Sequence, residues 1–220
     1  MHRHLDAADD GGTMSTGTTV EHLDVLIVGA GLSGIGAAYY LQRDHPQRSV
    51  ALLEAREASG GTWDLFRYPG VRSDSDLHTF GYEFEPWRAP QAVAGADQIL
   101  AYLRDTAARH GIDRRTRYHH RVVSASWSSD DARWTVDVER TDTGEHVEPT
   151  CSWLFCAGGY YRYDRGHTPR RPGSTASPAP SCTPSTGPPT STCATGGCWW
   201  SAAGPPPSPS CRRSPRRPPT

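Results

Sequence analysis

An α/β fold, built in three layers around a mainly parallel sheet with an antiparallel excursion, is predicted from three stretches of this 220-residue chain. The first, residues 24–42, reads DVLIVGAGLSGIGAAYYLQ: apolar and β-branched residues run into glycine at 29, 31 and 34, then pass into small and apolar residues at helical spacing. The second, VALL at residues 50–53, is a short apolar run ending on Glu54, 20 residues past the last glycine. The third is a set of strand-like segments at 121–127, 134–139 and 146–156, joined by Ser128-Ser129-Asp130-Asp131 and Thr141-Asp142-Thr143-Gly144. Acids and glycine at such joints are turn residues on any reading.

Each element of the opening unit has a physical reason. Val25, Leu26, Ile27 and Val28 form a buried strand, Gly29 permits the tight turn, Gly31 lets the backbone approach a pyrophosphate, and Gly34 lets the helix pack closely on the strand. The helix then offers unpaired N–H groups and the positive end of its dipole to the phosphates, worth roughly 0.3–1 kcal/mol per exposed charge. Glu54 stands where a carboxylate accepts hydrogen bonds from an adenosine ribose; the plainer alternative is a solvated acid at a strand end. With strand, turn, helix and acid in register, the reading is a Rossmann-like dinucleotide-binding unit.

Composition excludes several classes. The formal net charge is −1, with 23 basic residues against 24 acidic, so overall charge points neither to nucleic acid nor to an acidic surface. All the basic residues are arginine, which reads as codon bias more than chemistry. Residues 1–21 are mostly polar and rich in Gly and Thr, read as a disordered leader without the apolar core of a signal peptide. No stretch approaches the ~18 apolar residues of a membrane span. The six cysteines (151, 156, 182, 193, 198 and 211) form no CxxC pair, so neither a metal site nor a redox pair is indicated. Cys156 is expected as a small core residue at a strand end. The expected compartment is the cytoplasm, and the oligomeric state is not legible.

After Glu54 comes the segment 56–84, REASGGTWDLFRYPGVRSDSDLHTFGYEF, read as a loop dense in glycine, tryptophan and charge. A loop so rich in special residues is expected to surround something. Here the chain resembles the FAD domain of the class B flavoprotein monooxygenases, the flavin-containing and Baeyer–Villiger monooxygenases. Their motifs are matched in order by GAGLSG, Glu54, Gly60-Gly61-Thr62-Trp63, and RYPGVRSD from Arg67 to Asp74.

The resemblance implies an FAD-binding domain over residues 22–169, with Gly29, Gly31, Ser33 and Gly34 at the FAD pyrophosphate and Glu54 on its ribose. It implies Gly61, Thr62 and Trp63 against the flavin half and Asp74 close to where flavin and nicotinamide meet. Arg72 would lie near incoming NADPH, and a main-chain group near Val123 on the adenine side. For Trp63 the plainer reading is a core aromatic, and for Asp74 a turn-capping acid. No catalytic residue is assigned.

Residues 96–110 read as an amphipathic packing helix, with Ile99, Leu100, Leu103 and Ala107 on one face and Gly111 placed to end it. The segment 153–159, WLFCAGG, reads as a buried strand returning to small residues.

From Cys156 onward there is no Leu, Ile, Val, Met or Phe, and past Asp164 no acid. Residues 170–220, rich in Pro, Arg and Ser, are therefore expected to be disordered, because so little apolar surface cannot offset roughly 1–2 kcal/mol of backbone entropy per residue. Two origins remain open. One is a genuine basic, proline-rich tail able to bind a polyproline-reading domain or nucleic acid through Arg212, Arg213, Arg216 and Arg217. The other is a frame-shifted translation of family sequence. Re-reading each codon from its third base makes residues 173–189 compatible with FDRFxGTVVHPQHWP, which carries the family fingerprint FxGxxxHxxxW, and residues 197–205 with LLVVGSGA.

The activity implied by the resemblance is FAD- and NADPH-dependent monooxygenation, in which a C4a-peroxyflavin passes one oxygen atom of O2 to a small-molecule substrate. The chain as written lacks the fingerprint histidine, the NADPH domain and the returning FAD segment, so weak FAD binding and no turnover are expected. Alternatives are another FAD- or NAD(P)-dependent oxidoreductase domain, or a non-enzymatic module binding through the Pro/Arg-rich tail.

Overall fold

The computed structural model describes residues 20–161, together with two two-residue strands at 181–182 and 199–200. The leader and tail expectations, the frame-shift reading included, lie otherwise outside the described residues.

The chain opens with strand β1 (His22–Val28), helix α1 (Leu32–Asp44) and strand β2 (Val50–Leu53). Two short helices follow, α2 (Thr62–Leu65) and α3 (Leu77–Phe80), inside the segment expected to be loop, and then the long helix α4 (Ala96–Arg109). The strands β3 (Thr116–Arg117), β4 (His120–Ser128), β5 (Arg133–Arg140), β6 (His146–Val147) and β7 (Thr150–Cys156) complete the main body. The pair β8 (Ser181–Cys182) and β9 (Trp199–Trp200) runs parallel.

In the sheet the order is β3-β2-β1-β7-β5-β4, with β6 pairing β5. The first four strands are parallel, and β5 is antiparallel to β7, β4 and β6. The predicted parallel sheet and antiparallel excursion are therefore both present. One strand expectation needs correction: residues 146–156 are not a single strand but break at Glu148-Pro149 into β6 and β7. Proline has no N–H to give a ladder, and the break lets β5 pair with β6 near one end and with β7 near the other.

Two apolar clusters face opposite sides of the sheet. Val25, Ile27, Val50 and Leu52 meet Ile35 and Ala38 of α1 and Ile99, Leu103 and Ala107 of α4. Leu26, Ala51 and Leu53 point the other way, onto Val136 and Val138 of β5 and Cys151 of β7. Alternate residues of β1 and β2 thus serve different layers, which is why both strands are apolar throughout instead of alternating. Burying each Leu or Ile in this way is worth roughly 1.5–3 kcal/mol.

Helix α4 matches its predicted limits. Gln98 accepts from the Gly95 N–H at 3.3 Å to close the first turn, and Gly111, with φ +68°, ends the last. Helix α1 is oriented by an aromatic strap the sequence did not announce. The Tyr82 hydroxyl donates to the Leu32 carbonyl at 2.6 Å, and its own N–H donates to the Tyr102 hydroxyl at 2.7 Å. Phe84 stacks between Tyr39 and Tyr82. Burial raises the Tyr82 hydroxyl far above its usual titration range, with a smaller contribution from Tyr102. No helix among the described residues is long and apolar enough to cross a membrane.

Candidate cofactor site

The carboxyl ends of β1, β2 and β7 finish level with one another, Val28 pairing with both Leu53 and Cys156. Just beyond them the glycine turn begins. Gly29 has φ +100°, and a Cβ there would lie 2.7 Å from the Ala157 carbonyl oxygen. At Gly34 a Cβ would stand 2.0 Å from the Gly29 carbonyl oxygen, so turn and helix fit only with glycine at both positions. This is the close packing expected from the motif.

Gly31 behaves differently. Its φ is −86° and a Cβ would meet only the Gly61 Cα at 3.6 Å, an ordinary contact. The fold itself tolerates a Cβ at this position, unlike Gly29 and Gly34.

Gly61, with φ +54°, comes to this spot from the GGTW segment: a Cβ on it would sit 3.2 Å from the Gly31 Cα. The Gly60 N–H donates to the Ala30 carbonyl at 3.0 Å and ties the two turns together. Among the described residues, the amides of Leu32, Ser33 and Gly34 at the start of α1 and those of Gly61 and Thr62 have no protein acceptor. Helix α1 has no side-chain cap and no acid in its first turn. Backbone donors left open beside a helix N-terminus of this length form an anion-binding cradle.

Glu54 is turned into the same crevice and is 8% exposed. One carboxylate oxygen accepts from the Ala30 N–H at 2.9 Å and the other from the Arg56 N–H at 3.1 Å. Each oxygen has two acceptor positions, so both keep capacity for a ligand hydroxyl.

The remaining expected residues are not all gathered at this bend. Ser33 is exposed on the first turn of α1. Thr62 follows Gly61 directly, and Trp63 is half-buried against the helix-side core, its ring edge-on to Phe80 at 6.0 Å. Arg72 is exposed on a backbone bridge to Gly95, while Ser73 between it and Asp74 is buried. Asp74 is also exposed; its charge, after burial, holds the Tyr68 hydroxyl above its usual range. Phe66 and Tyr161 pack edge-on at 5.4 Å in the same neighbourhood. Val123 lies where the β4–β5 register slips, between Val122 opposite Val138 and Ser124 opposite Asp137, and is itself paired with nothing on β5. Such a bulge frees the backbone at one position.

Two points were not foreseen. Cys156 is exposed, not a core residue, because the excursion pairs with β7 only at Thr150 and Cys151 and has diverged before the strand ends. Asp64, unremarked beside Trp63, is 2% exposed and receives three arginines: Arg56 at 2.5 Å, Arg67 at 2.9 Å and Arg104 at 2.8 Å. Among the described residues no group of three or more His, Cys, Asp or Glu is arranged to hold a metal ion.

Residues 27–89 match the family model of an NAD(P)-binding Rossmann-like domain. The chain is 54% identical over 154 residues to the FAD-containing monooxygenase EthA of Mycobacterium tuberculosis, covering 70% of this chain and 31% of that protein. Among solved structures it resembles OTEMO in complex with FAD and NADP, with a TM-score of 0.62 and 29% identity, covering 77% of this chain and 31% of that one. It also resembles a cyclohexanone monooxygenase variant from Rhodococcus sp. Phi1 bound to NADP+, with a TM-score of 0.64 and 25% identity over 76% of this chain and 32% of that one. The chain thus spans about a third of the length of the curated relatives it matches.

Proposed function

We propose that this chain, which belongs through its described body to the N-terminal part of the class B flavoprotein monooxygenases, holds FAD by its adenosine and pyrophosphate half. The observation that carries this reading is the meeting of Gly31 and Gly61 over a set of open backbone amides, with the Glu54 carboxylate turned to the same crevice. The residues fit the group. Gly29, Gly31 and Gly34 shape the bend, and the amides of Leu32, Ser33, Gly34, Gly61 and Thr62 receive the pyrophosphate. Glu54 accepts from the ribose hydroxyls. Thr62 and Trp63 border the flavin half, the freed backbone at Val123 serves the adenine side, and Arg72 and Asp74 face the nicotinamide of NADPH.

When bound, FAD supplies the two-electron chemistry that links NADPH oxidation to the reduction of O2 and the oxygenation of a small-molecule substrate. The protein's own part is to bind, orient and exclude water, which is why the matched motifs are binding residues and not acid–base pairs. The cytoplasm is the compartment this reading implies.

Among the described residues there is one such cradle, and it serves one dinucleotide. In this reading the described residues alone bind FAD weakly and do not turn over, since they offer no second cradle for NADPH. Titration with FAD, followed by quenching of flavin fluorescence and by competition with ADP, tests both halves of the proposal. Saturable binding that ADP displaces, with NADPH oxidised no faster than by free FAD, is the expected result. Absence of saturable binding overturns the FAD reading. Flavin retained stoichiometrically through purification, together with enzyme-dependent NADPH oxidation, overturns the claim of an incomplete site.

A further inference from the structure

We infer that Asp64 is a positioning residue that sets the orientation of the Gly60-Gly61 turn, an inference that rests on the FAD reading above. The Asp64 N–H donates to the Gly61 carbonyl at 3.2 Å within the first turn of α2, and its carboxylate acts on the turn through the guanidinium groups it gathers. One oxygen binds Arg56, and the other binds both Arg67 and Arg104. Each of these arginines also holds a backbone carbonyl. Arg104 donates to the Ser59 carbonyl at 3.1 and 3.3 Å, Arg56 to the Gly61 carbonyl at 3.4 Å, and Arg67 to the carbonyl of Asp64 itself at 3.0 Å.

A trans peptide points its C=O and N–H in opposite directions. With the Ser59 carbonyl turned to Arg104, the N–H of the same peptide, that of Gly60, is aimed at the Ala30 carbonyl, which it reaches at 3.0 Å. This is the bond that brings the GGTW turn against the first glycine turn. The Gly61 carbonyl accepts from the Asp64 and Leu65 N–H groups at 3.2 and 3.0 Å and from Arg56 at 3.4 Å, which leaves the Thr62 N–H on the opposite side, without a protein acceptor. Rotation of either peptide would exchange a donor for an acceptor, and a carbonyl oxygen would then confront the phosphates. Glycine at 60 and 61 makes such rotation sterically easy; the Gly60 and Gly61 carbonyls are held by the N–H groups of Trp63, Asp64 and Leu65, so the Ser59–Gly60 peptide is the one that needs an external lock.

The carboxylate is the component that cannot be spared. Three guanidinium groups converge on it, and without its charge they repel one another and leave the carbonyls. Arg67 provides an internal control, since it shares Asp64 with the other two but holds no carbonyl of the Gly60-Gly61 turn.

The test compares Asp64→Asn, Arg104→Gln and Arg67→Gln by two measurements: FAD affinity, corrected for the folded fraction, and hydrogen exchange of the Gly60 amide in the unliganded protein. Asp64→Asn and Arg104→Gln are each expected to weaken FAD binding by about tenfold or more and to speed exchange at Gly60. Arg67→Gln is expected to change affinity by less than about twofold and to leave exchange as in the wild type. Should Asp64→Asn fail to fold, the contrast between Arg104→Gln and Arg67→Gln decides. Wild-type affinity and exchange in Arg104→Gln, or equal losses in Arg104→Gln and Arg67→Gln, overturn the inference. If the wild-type chain itself shows no FAD binding, it is the functional reading that falls, and amide exchange still reports whether Asp64 sets the turn.

Discussion

Replacing Gly31 and Gly34 by alanine, one at a time, separates packing from ligand recognition within a single motif. At Gly34 the new Cβ would stand 2.0 Å from the Gly29 carbonyl oxygen, so helix α1 must move away from the turn. Overpacking costs about 1–3 kcal/mol, and a backbone obstacle places this case at the upper end. The better helix propensity of alanine returns about 0.5–1 kcal/mol, leaving a net loss of about 2 kcal/mol. For a domain of this size that is a fall of roughly 4–8 °C in Tm. At Gly31 the Cβ makes only the 3.6 Å contact with Gly61 and φ is −86°, so the unliganded fold loses little more than the preference of a helix N-cap for glycine over alanine. That loss is about 0.5–1 kcal/mol. The methyl group would, however, occupy the volume assigned to the pyrophosphate, and FAD affinity should fall by about tenfold or more. Thermal unfolding of the ligand-free variants, followed by circular dichroism, and FAD titration read the two effects. Equal Tm losses in the two variants, or wild-type FAD affinity in Gly31→Ala, would refute the assignment of the cradle.

Glu54→Gln retains one carbonyl-type acceptor and sets an amide against the other backbone N–H, losing about 1.5–3 kcal/mol of charge-assisted bonding. If the ribose is held here, its preference for FAD over FMN should shrink by about tenfold, which parallel titrations measure. Asp24 is held below the ordinary carboxylate range by the Ser49 hydroxyl first, then the Ser49 N–H and Arg48. Its contribution is therefore present above the unfolded value of about 3.9 and is lost as pH falls through the folded value; Asp24→Asn should lose that stability at neutral pH and flatten the acid side of the profile below about pH 4, where the two proteins converge. Tyr82→Phe removes the 2.6 Å bond to Leu32 and should cost about 1 kcal/mol, a Tm loss of roughly 2–4 °C. Sequencing the DNA that encodes residues 167–205 should show FDRFxGTVVHPQHWP and LLVVGSGA in the alternate frame; stop codons or unrelated residues there would end the frame-shift reading.

The parts of the fold that depend on local pattern were readable. Val25 to Val28 and the run at residues 50–53 declare buried parallel strands because every residue is apolar, and Glu54 declares itself by standing at the end of that run. Ile99, Leu103 and Ala107 mark the buried face of α4 by spacing alone. Pro149, without an N–H for a ladder, is the signal that divides residues 146–156 into two strands, and the single-strand reading ran through it. Strand β3 has only Thr116 and Arg117, too few for any periodicity, and is recognisable only by its pairing with Leu52 and Leu53. Asp64 was not legible because its partners lie 8 residues back, 3 ahead and 40 ahead, and only folding brings Arg56, Arg67 and Arg104 to one carboxylate. The Val123 bulge likewise arises from how β4 and β5 slip past each other, not from any residue type.

The floor of the crevice is assembled from chain segments that are far apart in order of synthesis. The Gly29 N–H is held by the Leu53 carbonyl at 2.8 Å, and the Ala157 N–H by the Val28 carbonyl at 2.8 Å. A growing polypeptide makes the bend and the acid early, yet lacks one bank of the channel until β7 has emerged and paired in parallel beside β1. Nucleotide capture would then come as a late event in biogenesis, appearing only when the last of these three strand ends has been laid alongside the others.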